Sequence, residues 1–170
     1  MNTTLRDLVK SLGSQNGLER KRARETIVLV KEPVTPLLQS LLDEGDKRVR
    51  WEAAKTLATT IDPSAMDTLI ELLTTYDSDI RWIAADGLIK LGPRTVIPLL
   101  RSLLTDKIVK GQAEMTARVL RQLATENEVL NELVTPVIEA LKDPDPALVQ
   151  PKVQRALSDI SAATGELPVI

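Results

Sequence analysis

The residues of this chain that could do chemistry are few, and its composition excludes several common kinds of site. The sequence contains no Cys and no His. It therefore cannot form a disulfide framework, a Cys/His zinc site, or a Cys–His or Ser–His–Asp nucleophile system. No Asp or Glu cluster has the spacing of a carboxylate-only metal site, and we predict no metal and no cofactor. What remains is recognition, carried by charged side chains and by the only tryptophans, Trp51 and Trp82.

The elements that must position these residues are predicted to be helical. Hydrophobic residues make up 43% of the 170 residues, but aromatic residues only 2%, with no Phe. The core must then be built from Leu, Ile, Val and Ala, a composition that favours helix. The start of the chain, from Met1 to Arg6, lacks the basic-then-apolar order of a signal peptide. No apolar run reaches the roughly 20 residues of a membrane span, and we predict a soluble, cytoplasmic protein.

A short motif recurs at a step of 31 residues. It reads VRWEAAKTL from Val49 and IRWIAADGL from Ile80. We place weaker copies at 18–26, at 112–120 after a one-residue insertion, and at 149–157. Its apolar residues have the i, i+3, i+4, i+7 spacing of a helix. Ala54 and Ala85 share one register and are predicted to let neighbouring helices approach closely.

A second apolar motif alternates with the first at the same step, starting at Val34, Ala65 and Val96, and again at Val134. Breaks between the two helices of a unit are predicted at Asp62-Pro63 and Gly92-Pro93. Three copies carry a proline that we place in the first turn of a helix, where a missing N–H is harmless. These prolines are Pro36, Pro98 and Pro136.

The alternation predicts an all-α fold, an α-solenoid of about five helical hairpins forming a single domain over 1–170. An ordinary helical bundle does not explain an unvarying step. We predict a lengthened turn at 124–128, a rigid break at 143–146, and a helical pattern that fades after Leu157 into a short tail. The predicted units are a capping helix at 4–13 and repeats at about 18–43, 46–75, 77–105, 107–142 and 145–164.

The pattern Val49-Arg50-x-x-Ala53-Ala54-x-x-Leu57 resembles the short HEAT-like repeats of bacteria and archaea, including those of the phycobilin lyases. The resemblance covers nearly the whole chain and implies an armadillo-like α-α superhelix. It implies little about function, because such repeats serve many unrelated tasks.

The variable positions of the first motif form a stripe that points away from the core, and the resemblance implies that this stripe lines a concave groove. It carries seven basic and three acidic residues including Glu114, a balance of +4 in a chain whose net charge is −2. Such a groove would steer an anionic partner. The paired tryptophans would add exposed apolar area, unless they pack over their own repeats. The predicted partner-binding residues are Arg20, Lys21, Arg24, Trp51, Glu52, Lys55, Trp82, Ile83, Asp86, Met115, Arg118, Lys152 and Arg155.

Two further arginines, Arg50 and Arg81, are predicted to be structural. Each follows an acidic residue at the start of its helix, Asp46 in one repeat and Asp77 or Asp79 in the next. The resemblance implies that such Asp and Arg residues brace adjacent units.

These observations favour a non-catalytic protein-interaction scaffold, with an acidic or helical segment of a protein partner in the groove. An enzyme or enzyme subunit is the alternative. A phycobilin lyase-like protein without Cys or His could only bind or chaperone a bilin. A resemblance to the alkylpurine DNA glycosylases implies that Trp82 stacks a damaged nucleotide, Asp86 stabilises developing positive charge, and Arg118 supplies a cation. The acidic net charge disfavours nucleic acid as a partner, and no segment has the character of a membrane anchor.

Overall fold

The computed structural model describes residues 4–30 and 33–164, and all regular structure within these ranges is helical. Two 3-10 turns, Pro63–Ala65 and Pro93–Thr95, lead into the fifth and seventh α-helices. The ten α-helices of this part of the chain are α1 (Leu5–Ser11), α2 (Gly17–Leu29), α3 (Thr35–Glu44), α4 (Lys47–Thr60), α5 (Met66–Leu72), α6 (Ser78–Leu91), α7 (Val96–Arg101), α8 (Lys110–Ala124), α9 (Glu128–Ala140) and α10 (Pro146–Thr164).

The helices stack along the chain rather than around a central core. The first helices of the predicted hairpins, α2, α4, α6 and α8, pack against one another in order. The second helices fill the gaps, with α3 against α4, α5 against α6, and α9 against both α8 and α10. This arrangement confirms the predicted α-solenoid. Because α3 and α5 pack mainly on the first helix that follows each of them, the hairpins can also be drawn one helix later than predicted.

Small residues set the distance between the stacked first helices. Ala54 and Ala85 are completely buried, at the register where the sequence predicts a close approach. A close approach lies further along the same two helices, where Gly87 of α6 faces Ala58 of α4. A Cβ added to Gly87 would lie 2.9 Å from the Cα of Ala58, so only glycine fits there without a shift of the helices.

The predicted helix boundaries are confirmed where short polar residues and proline begin the helices. The side chains of Asn16, Asp46 and Asp77 accept hydrogen bonds from backbone N–H groups at the starts of α2, α4 and α6. This is the usual role of Asn and Asp before a first turn. Pro36 lies in the first turn of α3 as predicted, and Asp62 caps the turn that leads into α5.

The first repeat step is 30 residues, although the sequence pattern predicts 31. The capping residues Asn16, Asp46 and Asp77 are separated by 30 and then 31 positions. The shorter step arises because α2 has 13 residues and α4 has 14. The segments from the start of α3 to Asp46 and from the start of α5 to Asp77 are of equal length.

Three predictions in the last third of the chain are wrong. Pro136 lies inside α9 rather than in a first turn, because α9 already begins at Glu128, directly after its cap Asn127. The predicted long turn at 124–128 is therefore short. The helical pattern also does not fade after Leu157, since α10 continues to Thr164. The predicted tail beyond that residue lies outside the described residues.

Candidate protein-interaction surface

Trp51 and Lys55 form the first of two aromatic–cation pairs on the first helices. One turn of α4 separates them, and the Lys55 Nζ lies 4.4 Å from the centroid of the Trp51 ring. Both side chains are half-buried. The pair presents an apolar ring and an ammonium group side by side, which is a cation–π arrangement.

Trp82 and Arg118 form the second pair, this time between neighbouring repeats. The Arg118 Cζ lies 4.0 Å from the centroid of the Trp82 ring. Asp86, one turn after Trp82, receives Lys90 at 2.8 Å and the Arg118 Nη2 at 3.9 Å. Trp82 nevertheless remains 53% exposed, so much of its indole faces solvent. The predicted grouping of Trp82, Asp86 and Arg118 is present, with Arg118 covering one face of the ring.

Glu52, by contrast, is not available to a partner. Its side chain is buried, and both of its carboxylate oxygens are occupied by α2. Arg20 Nε donates to Glu52 Oε1 at 2.8 Å, and Arg24 Nη1 donates to Oε2. Placing Arg20 and Arg24 on the exposed stripe was an error of register, while Glu52 is buried because it pairs with both of them. With the helix caps aligned at the 30-residue step, Arg24 is equivalent to Ala54, which packs between repeats.

The remaining predicted residues divide by exposure. Ile83 and Met115 are half-buried and pack against the core. Lys21 is exposed beside Glu25, with 3.8 Å between Nζ and Oε1. Lys152 and Arg155 are exposed on α10. We define the first-helix surface as Trp51, Lys55, Trp82, Asp86, Met115 and Arg118, which lie on α4, α6 and α8.

Arg81 is structural, as predicted, but its partners differ from those expected. Its Nη1 donates to the backbone carbonyls of Thr75 at 2.7 Å and Tyr76 at 3.0 Å. Its guanidinium also lies against Gly111 at the start of α8, where an added Cβ would come within 2.6 Å of it. Arg81 thus ties the α5–α6 loop to the next repeat without using an Asp.

The acidic residues expected to pair with Arg50 and Arg81 act as helix caps. A hydrogen bond from the Val49 N–H lowers the pKa of Asp46. Burial acts to raise the pKa of Asp77, but N–H groups of Ile80 and Asp79, together with Lys47, leave it lowered overall. Lys47 Nζ lies 3.6 Å from Asp77 Oδ2, and this pair links two successive repeats.

Charge is segregated between the two sets of helices, a feature that the sequence reasoning missed. Helices α2, α4, α6, α8 and α10 carry fifteen basic and seven acidic residues, a net +8. Helices α3, α5, α7 and α9 carry one basic and seven acidic residues, a net −6. Summing the charges of each predicted helix, and not only those of the stripe, would have revealed this difference. The two sets of helices therefore differ in the sign of their net charge.

These features define the class of the protein as an α-solenoid whose first helices carry two tryptophan–cation pairs. The family model for HEAT repeats matches residues 34–118, half of the chain, and the chain belongs to the HEAT-repeat proteins. No curated protein matches it. No three acidic side chains within residues 4–30 and 33–164 converge to hold a metal ion. No helix in these ranges is both long and apolar enough to cross a bilayer.

Proposed function

We propose that this chain is a non-catalytic protein-interaction scaffold, and that its first-helix surface holds an acidic or helical segment of a protein partner. The observation that carries the proposal is Trp82, which is 53% exposed while Arg118 is stacked on it. Exposed Trp beside Arg is the composition of energetically dominant contact sites. The equivalent position one repeat earlier holds Trp51 with Lys55, which extends the same chemistry along the solenoid.

The charge distribution supports an acidic partner. The first helices and α10 have a net charge of +8, even though the whole chain is at −2. Part of this charge is neutralised internally, because Arg20 and Arg24 are held by Glu52. Lys55 and Arg118 lie on rings at the surface, where a partner carboxylate can add a charge-assisted hydrogen bond.

The packing supports a concave position for this surface. The first helices contact their neighbours more closely than the second helices contact theirs. We therefore place the first helices on the inside of the superhelix. Solenoids use such curved inner surfaces for extended binding partners. The cytoplasmic location expected from the sequence stays a prediction.

The arrangement around Trp82 supports binding over base excision. Arg118 covers one face of the indole at 4.0 Å, so a base could stack only on the other face. Lys90 lies 2.8 Å from Asp86 and neutralises the carboxylate that would have to stabilise a developing cation.

The test is a pull-down from lysate with matched baits, in which bound protein and nucleic acid are both measured. The test variants are Trp82→Ala and the double variant Trp51→Ala/Trp82→Ala. Val129→Ala is the control, because Val129 is 61% exposed on the acidic α9. We expect one protein to be lost with the Trp variants and kept with the control, and to bind again as a purified pair. Loss of nucleic acid instead would contradict the proposal, as would retention of every partner.

A further inference from the structure

A cleft of about 580 Å³ opens between the α3–α4 turn and the α5–α6 loop, outside the first-helix surface. Its floor is aliphatic, formed by the buried Ile80 and the half-buried Leu42 and Leu72. Its rim is polar and exposed, formed by Lys47 and Arg50 from α4 and by residues of the loop. The most prominent of these loop residues is Tyr76, whose side chain is fully exposed.

Arg50 differs from its equivalents in the neighbouring repeats. Arg20 and Arg81 stand at the same distance from their helix caps, and each donates to two backbone carbonyls of the preceding loop. Arg50 has no such loop before it, since α3 ends directly before Gly45. Among the side chains that the structure describes, Arg50 makes no hydrogen bond or ion pair. It is exposed and borders the cleft, and its charge helps to lower the pKa of Asp46, the acidic residue expected near it.

The charge around the cleft suits a ligand with one negative charge. Lys47 lies 3.6 Å from Asp77, whose Oδ1 also accepts hydrogen bonds from the N–H groups of Asp79 and Ile80. The charged residues that line the cleft, Lys47, Arg50 and Asp77, sum to a single positive charge. Asp46, on which the charge of Arg50 also acts, lies outside this lining. A phosphate dianion would be under-neutralised there, whereas a carboxylate matches this charge and fits the planar guanidinium of arginine.

We propose that the cleft binds the carboxyl-terminal residue of a partner polypeptide. The terminal carboxylate lies at Arg50 and Lys47, and a branched aliphatic side chain lies on Leu42, Leu72 and Ile80. Capture of a terminal carboxylate is a recurring mode of peptide recognition. A pocket with an apolar floor and a few polar groups at its rim is typical of such sites. This site is separate from the first-helix surface and does not depend on the function proposed for it.

The experiment compares a fluorescent peptide, Gly-Ser-Gly-Ser-Ile, bearing either a free carboxyl terminus or a terminal amide. Binding is followed by fluorescence polarisation, and its position by methyl NMR of Leu42, Leu72 and Ile80. We expect the free acid to bind more tightly than the amide by about tenfold, as for one charge-assisted hydrogen bond. Arg50→Gln should remove that difference. Arg94→Gln, an exposed arginine elsewhere, should leave it unchanged.

Several results would overturn the proposal. One is equal affinity of acid and amide, and another is a methyl shift confined to other residues. Failure of peptides ending in Ile, Leu and Val to bind at millimolar concentration would be a third. A fourth would be full displacement of the peptide by 4-methylpentanoate, with an affinity equal to that of the peptide. That result would show that the cleft recognises free carboxylic acids and not a polypeptide terminus.

Discussion

Gly87 of α6 lies directly against Ala58 of α4, so that a Cβ on Gly87 would be 2.9 Å from both the Cα and the Cβ of Ala58. This contact joins two first helices at the centre of the array. Because one of the opposing atoms belongs to the backbone, the neighbour cannot yield by a rotamer change. The spacing of the first helices therefore depends on the absence of a side chain at one position.

Gly87→Ala should destabilise the protein, although alanine is intrinsically the better helix former. We expect the free energy of unfolding to fall by about 1–3 kcal/mol, the usual cost of overpacking a core. Urea denaturation measures it. Gly17→Ala is the matched control, since its Cβ would meet only the Arg20 guanidinium at 3.5 Å. Equal stability of both variants would mean that α4 and α6 are not this close.

Glu52→Gln should be costly because it leaves Arg20 and Arg24 with no opposing charge between α2 and α4. We expect a loss of about 3 kcal/mol, in the range for breaking a buried ion pair from one side. Thermal and urea unfolding both report it. Glu25→Gln removes an exposed partner of Lys21 and should change stability by under about 0.5 kcal/mol. If both variants changed the unfolding free energy equally, the ion pairs of Glu52 with Arg20 and Arg24 would contribute no more than a surface pair.

Ile61→Gly should stabilise the protein. Ile61 ends α4 with φ at 52°, in the left-handed region, and its side chain is 54% exposed. A β-branched residue is strained there and glycine is not. We expect a gain of about 1 kcal/mol in unfolding free energy. Ile61→Ala is the control, because it removes the exposed side chain but keeps a Cβ. A gain with alanine as large as with glycine would assign the effect to the side chain and not to the backbone.

Acid should weaken the fold through its helix caps. The Val49 N–H lowers the pKa of Asp46, and the hydroxyl and N–H of Ser64 lower that of Asp62, from an ordinary value of 3.8. A carboxyl group with a lowered pKa in the folded state stabilises the fold above its unfolded value and loses that effect as the pH falls. Unfolding free energy should therefore be level near neutrality and decline below about pH 4.

The matched variant for this titration is Asp46→Asn, which keeps a capping side chain but cannot titrate. Asn16 already caps α2 in this way. Its curve of stability against pH should decline less steeply than that of the wild type. An identical slope would show that Asp46 does not contribute to the acid transition.

The sequence alone predicts the helices and their stacking because repeated Leu and Ala positions report burial directly. Ala54 and Ala85 are completely buried at the register expected of them. Prediction from the sequence fails where a difference of one residue changes the alignment of one repeat with the next. Because the first step is 30 residues and not 31, Arg24 lies at the contact with Glu52 and not on the exposed stripe. Pro136 was misplaced for a similar reason, since a motif marks an apolar face but not the residue at which its helix begins.

Site-specific photo-crosslinking tests the central claim most directly. Benzoylphenylalanine replaces Trp82 or Lys55 on the first-helix surface, and Glu132 or Thr135, both exposed on α9, as controls. The scaffold account predicts that the first pair captures the same protein through an acidic or helical segment identified by mass spectrometry, and that the α9 positions capture nothing specific. Capture of that protein only from α9, or capture of nucleic acid at Trp82, would contradict it.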